Sequence, residues 1–203
     1  DLDPAYKANR GAPPADLVPQ FELVQEMVAA LGFATLCVPG VEADDLMATV
    51  ARRAQAEGWG TWLLSPDKDL YQLVDDGPPA IRVFHWHTRT VIDAAQVRER
   101  IGVSPELAVD YYALVGDSSD NVRGVRGVGP KAASALVLAL GGIDAIYAQL
   151  EQVPTLKVRG AKSLRDKLEV GQEHARLARR LVVLKDDVEL DIEGHLGPWA
   201  CWP

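Results

Sequence analysis

Two short apolar runs separated by one amphipathic helix set the strongest limit on the fold of this chain. ATLCV (34–38) and TWLLS (61–65) each have the length and composition of a buried strand. Between them, residues 42–57 have helical periodicity that ends at Gly58. Strand–helix–strand order predicts a parallel pair joined by a right-handed crossover. We therefore expect an α/β first half, with Cys37 buried in its first strand.

An amphipathic helix at 16–32 and a hairpin at 82–92 complete the α/β pattern of the first half. The second half of the chain has helical periodicity throughout. We predict a partial α/β core over 1–92, a helical region over 93–191 and a tail over 192–203. The candidate helices of the second half are 94–101, 105–115, 130–140, 143–150, 161–169 and 172–184.

Acidic side chains are concentrated in three segments, VEADDL, SPDKDL and GDSSDN. The first two segments directly follow the predicted strands, and the carboxyl ends of parallel strands meet at one edge of a sheet. Carboxylates gathered there repel one another unless a cation neutralises them, and Mg²⁺ or Mn²⁺ suits oxygen ligands. Two such ions about 4 Å apart can clamp a phosphodiester. The candidate metal ligands are Glu42, Asp44, Asp45, Asp67, Asp69, Asp117 and Asp120.

Each acidic segment taken alone also fits an ordinary structural role. Acidic residues stabilise the first turn of a helix, SPDKDL fits a turn with a helix cap, and GDSSDN fits a loop of Asx turns. The argument for a metal site depends on all three segments together. A zinc site is not expected, because His85 and His87 have no cysteine partner nearby and are interpreted as surface or hairpin residues.

Charge is distributed unevenly along a chain whose net charge is −8. Residues 42–120 carry 14 acidic and seven basic residues, whereas residues 121–185 carry 12 basic and five acidic residues. This order fits a carboxylate metal site beside a phosphate-binding surface, although chance gives such excursions too. No apolar run reaches the roughly 20 residues that a membrane-spanning helix needs.

A glycine-rich segment, GVRGVGPKAA, separates two predicted helices. Its G-x-x-G-x-G order differs from the dinucleotide fingerprint. Gly127 and Gly129 allow close approach of a backbone to phosphate, Pro130 suits the first turn of a helix, and Lys131 adds a cation. We predict a helix–hairpin–helix at 120–140 that grips the DNA backbone without reading its sequence. The alternative is a tight interhelical turn with no ligand.

The motifs YKANR, GVEADD, SPDKDL, GDSSDN and GVRGVGPKAA occur in the order found in the 5′-nuclease domain of bacterial DNA polymerase I. The chain resembles this family, which includes stand-alone 5′→3′ exonucleases and shares its core with flap endonucleases. The resemblance runs from Tyr6 to about Asp191 and implies a PIN-like, parallel-sheet nuclease core followed by a helix–hairpin–helix (helix–three-turn–helix) region. It also implies that the family's first strand and two metal-binding aspartates, which would precede Tyr6, are missing here.

The resemblance implies a metal-dependent 5′→3′ exonuclease and 5′-flap endonuclease that hydrolyses DNA in replication and repair. The seven carboxylates would hold two Mg²⁺ ions, with Mn²⁺ as a substitute. Lys7 and Arg10 would act at the scissile phosphate and Tyr6 would stack on a base, whereas without the family these residues form only a solvated basic loop. The duplex would be held by Gly127, Gly129 and Lys131, with K⁺ bound at nearby carbonyls. We further expect a monomer that binds DNA without sequence specificity, contacts no membrane and is cytoplasmic.

Two other functions remain open from the sequence. A non-catalytic DNA-binding fragment would keep the glycine-rich segment and the basic region without chemistry. A different Mg²⁺ phosphoryl-transfer enzyme, such as a Toprim-like domain, would use Glu42 with Asp67 and Asp69 but would leave GDSSDN unexplained. Metal-dependent cleavage of DNA separates the first of these from a nuclease.

Overall fold

A three-stranded mixed sheet forms the centre of the first half of the molecule. The computed structural model describes residues 2–192. Strand β1 (Thr61–Leu64) pairs in parallel with β2 (Ile81–His85), which pairs in antiparallel fashion with β3 (Thr90–Ile92). The β2–β3 pair is the predicted hairpin. The connection from β1 to β2 contains a 3₁₀ helix, Lys68–Leu73.

The segment 34–38 is not a strand, so this prediction was wrong. A strand needs a hydrogen-bonded partner, and no strand in the described part of the chain pairs with this segment. Its residues are exposed apart from the half-buried Val38, and Cys37, expected to be buried, is exposed as well. The parallel partner of β1 is therefore β2, and β1 buries only Leu63 while Trp62 points to solvent.

The two helices of the first half differ sharply in packing. Helix α1 (Val18–Ala30) has no buried residue, so the predicted helix exists without burying its apolar face. Helix α2 (Ala43–Ala56) packs Ala48 and Ala51 into a core with β1, the 3₁₀ helix and β2. Its alanines permit a close approach to the sheet, and Gly58 follows it in a left-handed conformation as predicted.

His85 lies in the hairpin, as the sequence allowed, but it is buried rather than at the surface. It lies on the inward face of β2, two residues beyond Val83, since alternate residues of a strand share a face. Its Nε2 atom lies 3.3 Å from the hydroxyl of Tyr71. His87 lies in the β2–β3 turn and is exposed, as expected.

The second half is helical, apart from a short two-stranded ladder formed by β4 (Gly116–Asp117) and β5 (Val122–Arg123). A large buried core joins its helices. The helices are α3 (Ala94–Ile101), α4 (Ala108–Val115), α5 (Pro130–Leu140), α6 (Ile143–Ala148) and α7 (Ala161–Val182). Among the described residues, no helix is long and apolar enough to cross a bilayer.

Helix α7 is one continuous helix of 22 residues, where the sequence predicted two. Gly171 lies inside it, at the position where the sequence predicts an interruption. A Cβ atom at Gly171 would lie 2.7 Å from Cγ1 of Val125, so the glycine permits close packing against the glycine-rich segment. That packing outweighs the helix penalty of glycine, which is about 1 kcal/mol.

The residues after α7 return to the first half, and we call residues 183–192 the C-terminal strap. Arg53 of α2 donates hydrogen bonds to the carbonyls of Leu190 at 2.7 Å and Val188 at 2.8 Å. The Val188 amide donates to Thr49 Oγ1 at 3.2 Å. The strap therefore connects the end of the helical half to the helix beside the sheet.

Candidate metal centre and nucleic-acid interface

Three aspartates form a compact carboxylate cluster beside the core that surrounds the sheet. Asp69 comes from the 3₁₀ helix after β1, Asp117 from β4, and Asp120 from the turn between β4 and β5. One carboxylate oxygen from each lies within 4.8 Å of the others. The side chains are only 14%, 5% and 13% exposed, respectively. The structure thus brings together two of the three acidic segments identified in the sequence.

Local hydrogen bonds hold the main chain of Asp69 and the carboxylate of Asp117 in place. Asp67 caps the 3₁₀ helix by accepting the amide of Asp69 at 3.0 Å. Asp117 Oδ1 accepts the amide and the hydroxyl of Ser119 at 2.9 and 2.6 Å. The ladder that carries Asp117 is very tight, since a Cβ at Gly124 would lie 2.4 Å from the amide nitrogen of Gly116. These constraints hold Asp69 and Asp117 against their mutual repulsion.

The charge state of Asp69 shows the strain in this cluster. Its pKa rises to about 7, chiefly because the group is buried, and the charges of Asp67, Asp117 and Asp120 raise it further. Its Oδ1 atom accepts no hydrogen bond, although the Nζ atom of Lys68 lies 3.8 Å away. A buried carboxylate oxygen without a donor, next to two other carboxylates, fits a hard divalent cation.

Lys68 belongs to this cluster, and the sequence reasoning did not identify it. Its ammonium group donates a hydrogen bond to Asp117 at 2.6 Å. Burial alone would raise the pKa of Asp117, but the bonds from Lys68 and Ser119 hold it below the ordinary value. The motif SPDKDL places Lys68 between two candidate ligands, but this pattern does not by itself predict an ion pair with Asp117.

The predicted basic residues near the start of the chain lie directly on the acidic cluster. The Lys7 amide donates to the Asp120 carbonyl at 2.9 Å, and its ammonium pairs with Glu42 and lies 3.5 Å from Asp120 Oδ2. Arg10 pairs with Asp120 at 2.5 Å. The Tyr6 hydroxyl lies 3.4 Å from carboxylates of both Glu42 and Asp120. These three residues, which we call the basic arm, thus cover the outer side of Asp120.

The remaining predicted carboxylates are close to the cluster but differ in their contacts. Glu42 precedes α2 and contacts the basic arm, whereas Asp44 accepts the amide of its neighbour Asp45, and burial raises its pKa. Asp45 Oδ1 accepts the amide of Lys185 at 2.9 Å and so anchors the C-terminal strap. Two adjoining clefts of about 630 and 470 Å³ are lined by six of the seven carboxylates: Glu42, Asp44, Asp45, Asp67, Asp69 and Asp120.

Asp117 instead lines a larger cavity of about 1030 Å³ together with the glycine-rich segment. Gly127 adopts a left-handed φ of 81° there, and its carbonyl lies 3.4 Å from the Nζ atom of Lys167. Gly129 is the N-cap of α5, and Lys131 is exposed in its first turn. The amides of Ala132 and Ala133 donate to the Gly129 carbonyl at 3.0 and 2.9 Å, so this helix start offers a phosphate the positive end of the helix and the exposed cation of Lys131.

The sequence matches the two family models of the 5′-3′ exonucleases. Residues 1–102 match the N-terminal resolvase-like domain, and residues 103–197 match the C-terminal SAM fold. The fold is thus α/β with a resolvase-like, PIN-type part followed by a helical part, which confirms the fold class expected from the sequence.

Characterised relatives agree with this match. The chain is 45% identical to DNA polymerase I of Pseudomonas aeruginosa over 95% of its own length, but spans only 21% of that protein. It is 34% identical to the 5′-3′ exonuclease of Buchnera aphidicola, covering 93% of this chain and 65% of the relative. A bacteriophage T5 flap endonuclease, solved with DNA and metal ions, is 26% identical with a TM-score of 0.72, over 91% of this chain and 68% of the other.

Proposed function

This chain belongs to the 5′-3′ exonuclease family. From that premise we propose that it is a metal-dependent 5′→3′ exonuclease and 5′-flap endonuclease, which hydrolyses DNA phosphodiesters in replication and repair. One observation carries the proposal. The buried cluster of Asp69, Asp117 and Asp120 lies directly beside the cations of Lys7 and Arg10. A divalent ion and a phosphate could therefore be held side by side.

The metal is proposed to be Mg²⁺, with two ions bound and Mn²⁺ as a substitute. Asp69, Asp117 and Asp120 would hold the first ion, and Glu42 and Asp44 face the adjoining clefts where a second would lie. The two ions would lower the charge barrier to attack on a phosphodiester. Asp67 and Asp45 would help to position these ligands. Asp67 caps the 3₁₀ helix that carries Asp69, and Asp45 anchors the C-terminal strap.

Substrate positioning is assigned to the basic arm. Lys7 and Arg10 would bind the scissile phosphate, and they are tethered close to the carboxylates by their own ion pairs. Burial raises the pKa of Tyr6 to about 12, so its hydroxyl stays protonated and can donate to a phosphate or carboxylate. Its ring would stack on a base of the 5′ strand.

Duplex binding is assigned to the glycine-rich segment. Gly127, Gly129 and Lys131 would hold the DNA backbone without sequence specificity, because main-chain amides and a lysine read phosphate rather than bases. We also propose a K⁺ site at the carbonyls of this segment, and the Lys167 ammonium, which donates to the Gly127 carbonyl at 3.4 Å, would have to yield that oxygen to the ion. We propose a cytoplasmic monomer, divided at residue 92 into a nuclease core and a DNA-binding region.

Cleavage of a labelled 5′-flap DNA by the 203-residue chain tests the proposed function. We expect products with Mg²⁺ or Mn²⁺, none with EDTA, and none from Asp69→Asn, while that variant still binds the flap substrate. Asp166→Asn removes an exposed carboxylate from α7 and is the matched control, which should cleave normally.

Three outcomes have clear meanings. Metal-dependent products from the parent chain and none from Asp69→Asn support the nuclease. DNA binding without cleavage by the folded parent chain would instead establish the DNA-binding fragment considered above. Equal cleavage by Asp69→Asn would show that this carboxylate has no part in the metal centre.

A further inference from the structure

The ammonium group of Lys68 lies inside the carboxylate cluster. Its Nζ atom lies 2.6 Å from Asp117 Oδ2 and 3.8 Å from Asp69 Oδ1. It also donates a hydrogen bond to Ser119 Oγ at 3.3 Å and lies 5.6 Å from the centre of the Tyr112 ring. Lys68 therefore supplies the positive charge that these two buried aspartates require.

This location conflicts with a divalent ion at the same carboxylates. A magnesium or manganese ion takes carboxylate oxygens at about 2.1 Å, closer than the ammonium now lies. Two cations at the same oxygens repel each other strongly where water is largely excluded. Asp117 is only 5% exposed and Lys68 is 37% exposed, so water screens that repulsion only in part. The ammonium and the divalent ion are therefore alternatives for Asp117.

We propose that a divalent ion displaces Lys68 from Asp117, and that Lys68 thereby sets the metal affinity of this centre. This inference rests on the proposed function, because it requires the cluster to bind a divalent ion. Lys68 is then a positioning residue. It holds Asp117 in place while no ion is bound, and it yields the carboxylate when the ion enters.

The first test compares Mn²⁺ affinities by calorimetry, without DNA. We expect Lys68→Met to bind Mn²⁺ at least about tenfold more tightly than the parent chain, because a competing charge has been removed. Lys68→Arg keeps the cation and should bind nearly as the parent does. Lys162→Met is the control, because Lys162 is exposed in the first turn of α7.

The outcomes separate this inference from the proposed function. If the parent chain binds Mn²⁺ and Lys68→Met binds it equally or more weakly, the competition is refuted while the metal centre stands. If neither the parent chain nor Lys68→Met binds Mn²⁺, both the metal centre and the role of Lys68 are refuted.

A second measurement uses only the parent chain, so it does not depend on the folding of a variant. While no ion is bound, the ammonium of Lys68 is held by its hydrogen bonds to Asp117 at 2.6 Å and Ser119 at 3.3 Å, which limits its reaction with reagents. Displacement should make it more reactive. We expect Mn²⁺ to increase acetylation of Lys68 by acetic anhydride severalfold, as read by mass spectrometry, and to leave Lys162 unchanged. Unchanged labelling of Lys68 at saturating Mn²⁺ would refute the displacement.

Discussion

Asp69 is a buried carboxylate whose position is unfavourable for the metal-free fold. Its carboxylate is buried beside Asp117 and Asp120, and one of its oxygens accepts no hydrogen bond. A buried polar atom left without a partner costs about 1–3 kcal/mol. Its negative charge is also buried beside two other carboxylates, so a neutral amide in its place should stabilise the metal-free protein.

We accordingly predict that Asp69→Asn raises the free energy of unfolding by about 1–2 kcal/mol in EDTA, because it removes like-charge repulsion at a buried site. Urea unfolding at pH 8 measures this change. The same variant should lose the stabilisation that Mn²⁺ gives the parent chain. Asp166→Asn is the matched control, because this carboxylate is exposed on α7 and is not among the charges that raise the pKa of Asp69. A loss of stability in Asp69→Asn without metal would contradict the argument.

Single residues could be selected from the sequence when their chemistry was distinctive. Asp69, Asp117 and Asp120 were chosen because carboxylates recur at places where a sheet or helix ends, and the structure brings them together. The contribution of Lys68 was not evident, because a lysine between two aspartates has the composition of an ordinary exposed turn. Only the fold shows that its ammonium reaches Asp117, 49 residues further along the chain.

At the scale of elements, the β4–β5 ladder depends on the close approach of two glycines, Gly116 and Gly124. A Cβ atom on Gly116 would lie 2.5 Å from the amide nitrogen of Gly124, and one on Gly124 would lie 2.4 Å from the carbonyl oxygen of Leu114. The contacting atoms belong to the backbone, so they cannot rotate away. This ladder carries Asp117 and leads into the glycine-rich segment.

We predict that Gly124→Ala lowers the free energy of unfolding by about 3 kcal/mol, because it forces two backbone segments apart. Gly129→Ala should change it by less than about 1 kcal/mol. A Cβ atom on Gly129 would meet no other atom within 4 Å, and the backbone there is extended with a φ of −95°. Thermal unfolding of both variants beside the parent chain makes the comparison. Equal stabilities would show that the ladder can open at little cost.

The start of α5 carries a separate prediction about binding. Lys131→Ala should weaken binding of all duplex sequences alike and reduce the slope of log affinity against log salt by about 1. Fluorescence anisotropy with two unrelated duplexes, in EDTA and at several salt concentrations, measures both effects. Arg89→Asn removes the same charge from the β2–β3 turn, at a position with positive φ that asparagine tolerates. Its salt slope should remain that of the parent chain, and a sequence-dependent effect of Lys131→Ala would contradict backbone binding.

Elements were predictable where local pattern alone decides them. The hairpin at 82–92 and helix α2 follow from alternation and periodicity, and both are present. The segment 34–38 has an equally apolar pattern but is not a strand, because strand formation depends on a partner that the pattern does not reveal. Likewise the sequence predicts a helix break at Gly171, because the tight contact of this glycine with Val125 is not visible in the pattern.

At the scale of the whole molecule, the C-terminal strap ties two separate hydrophobic cores together. One core surrounds the sheet and the other fills the helical half. Arg53 supports the strap through two charged hydrogen bonds to main-chain carbonyls, and Asp45 adds a third contact at Lys185. Hydrogen bonds to charged groups contribute about 1.5–3 kcal/mol each.

We predict that Arg53→Met lowers the free energy of unfolding by about 2 kcal/mol and increases amide hydrogen exchange in the C-terminal strap. Arg52→Met should change stability by less than about 0.5 kcal/mol, because its ion pair with Asp186 is half-exposed and 3.9 Å long. Denaturant unfolding with exchange mass spectrometry tests both variants. Unchanged exchange in Arg53→Met would show that other contacts hold the strap.

The strap also bears on the order in which the protein can fold during its synthesis. The bonds of Arg53 join residues that lie 135 and 137 positions apart in the chain. A ribosome adds about 5–20 residues per second, so α2 waits many seconds for the segment that completes its packing. The first half of the chain therefore reaches its final structure only after the C-terminal strap, and with it the helical half, has left the ribosome.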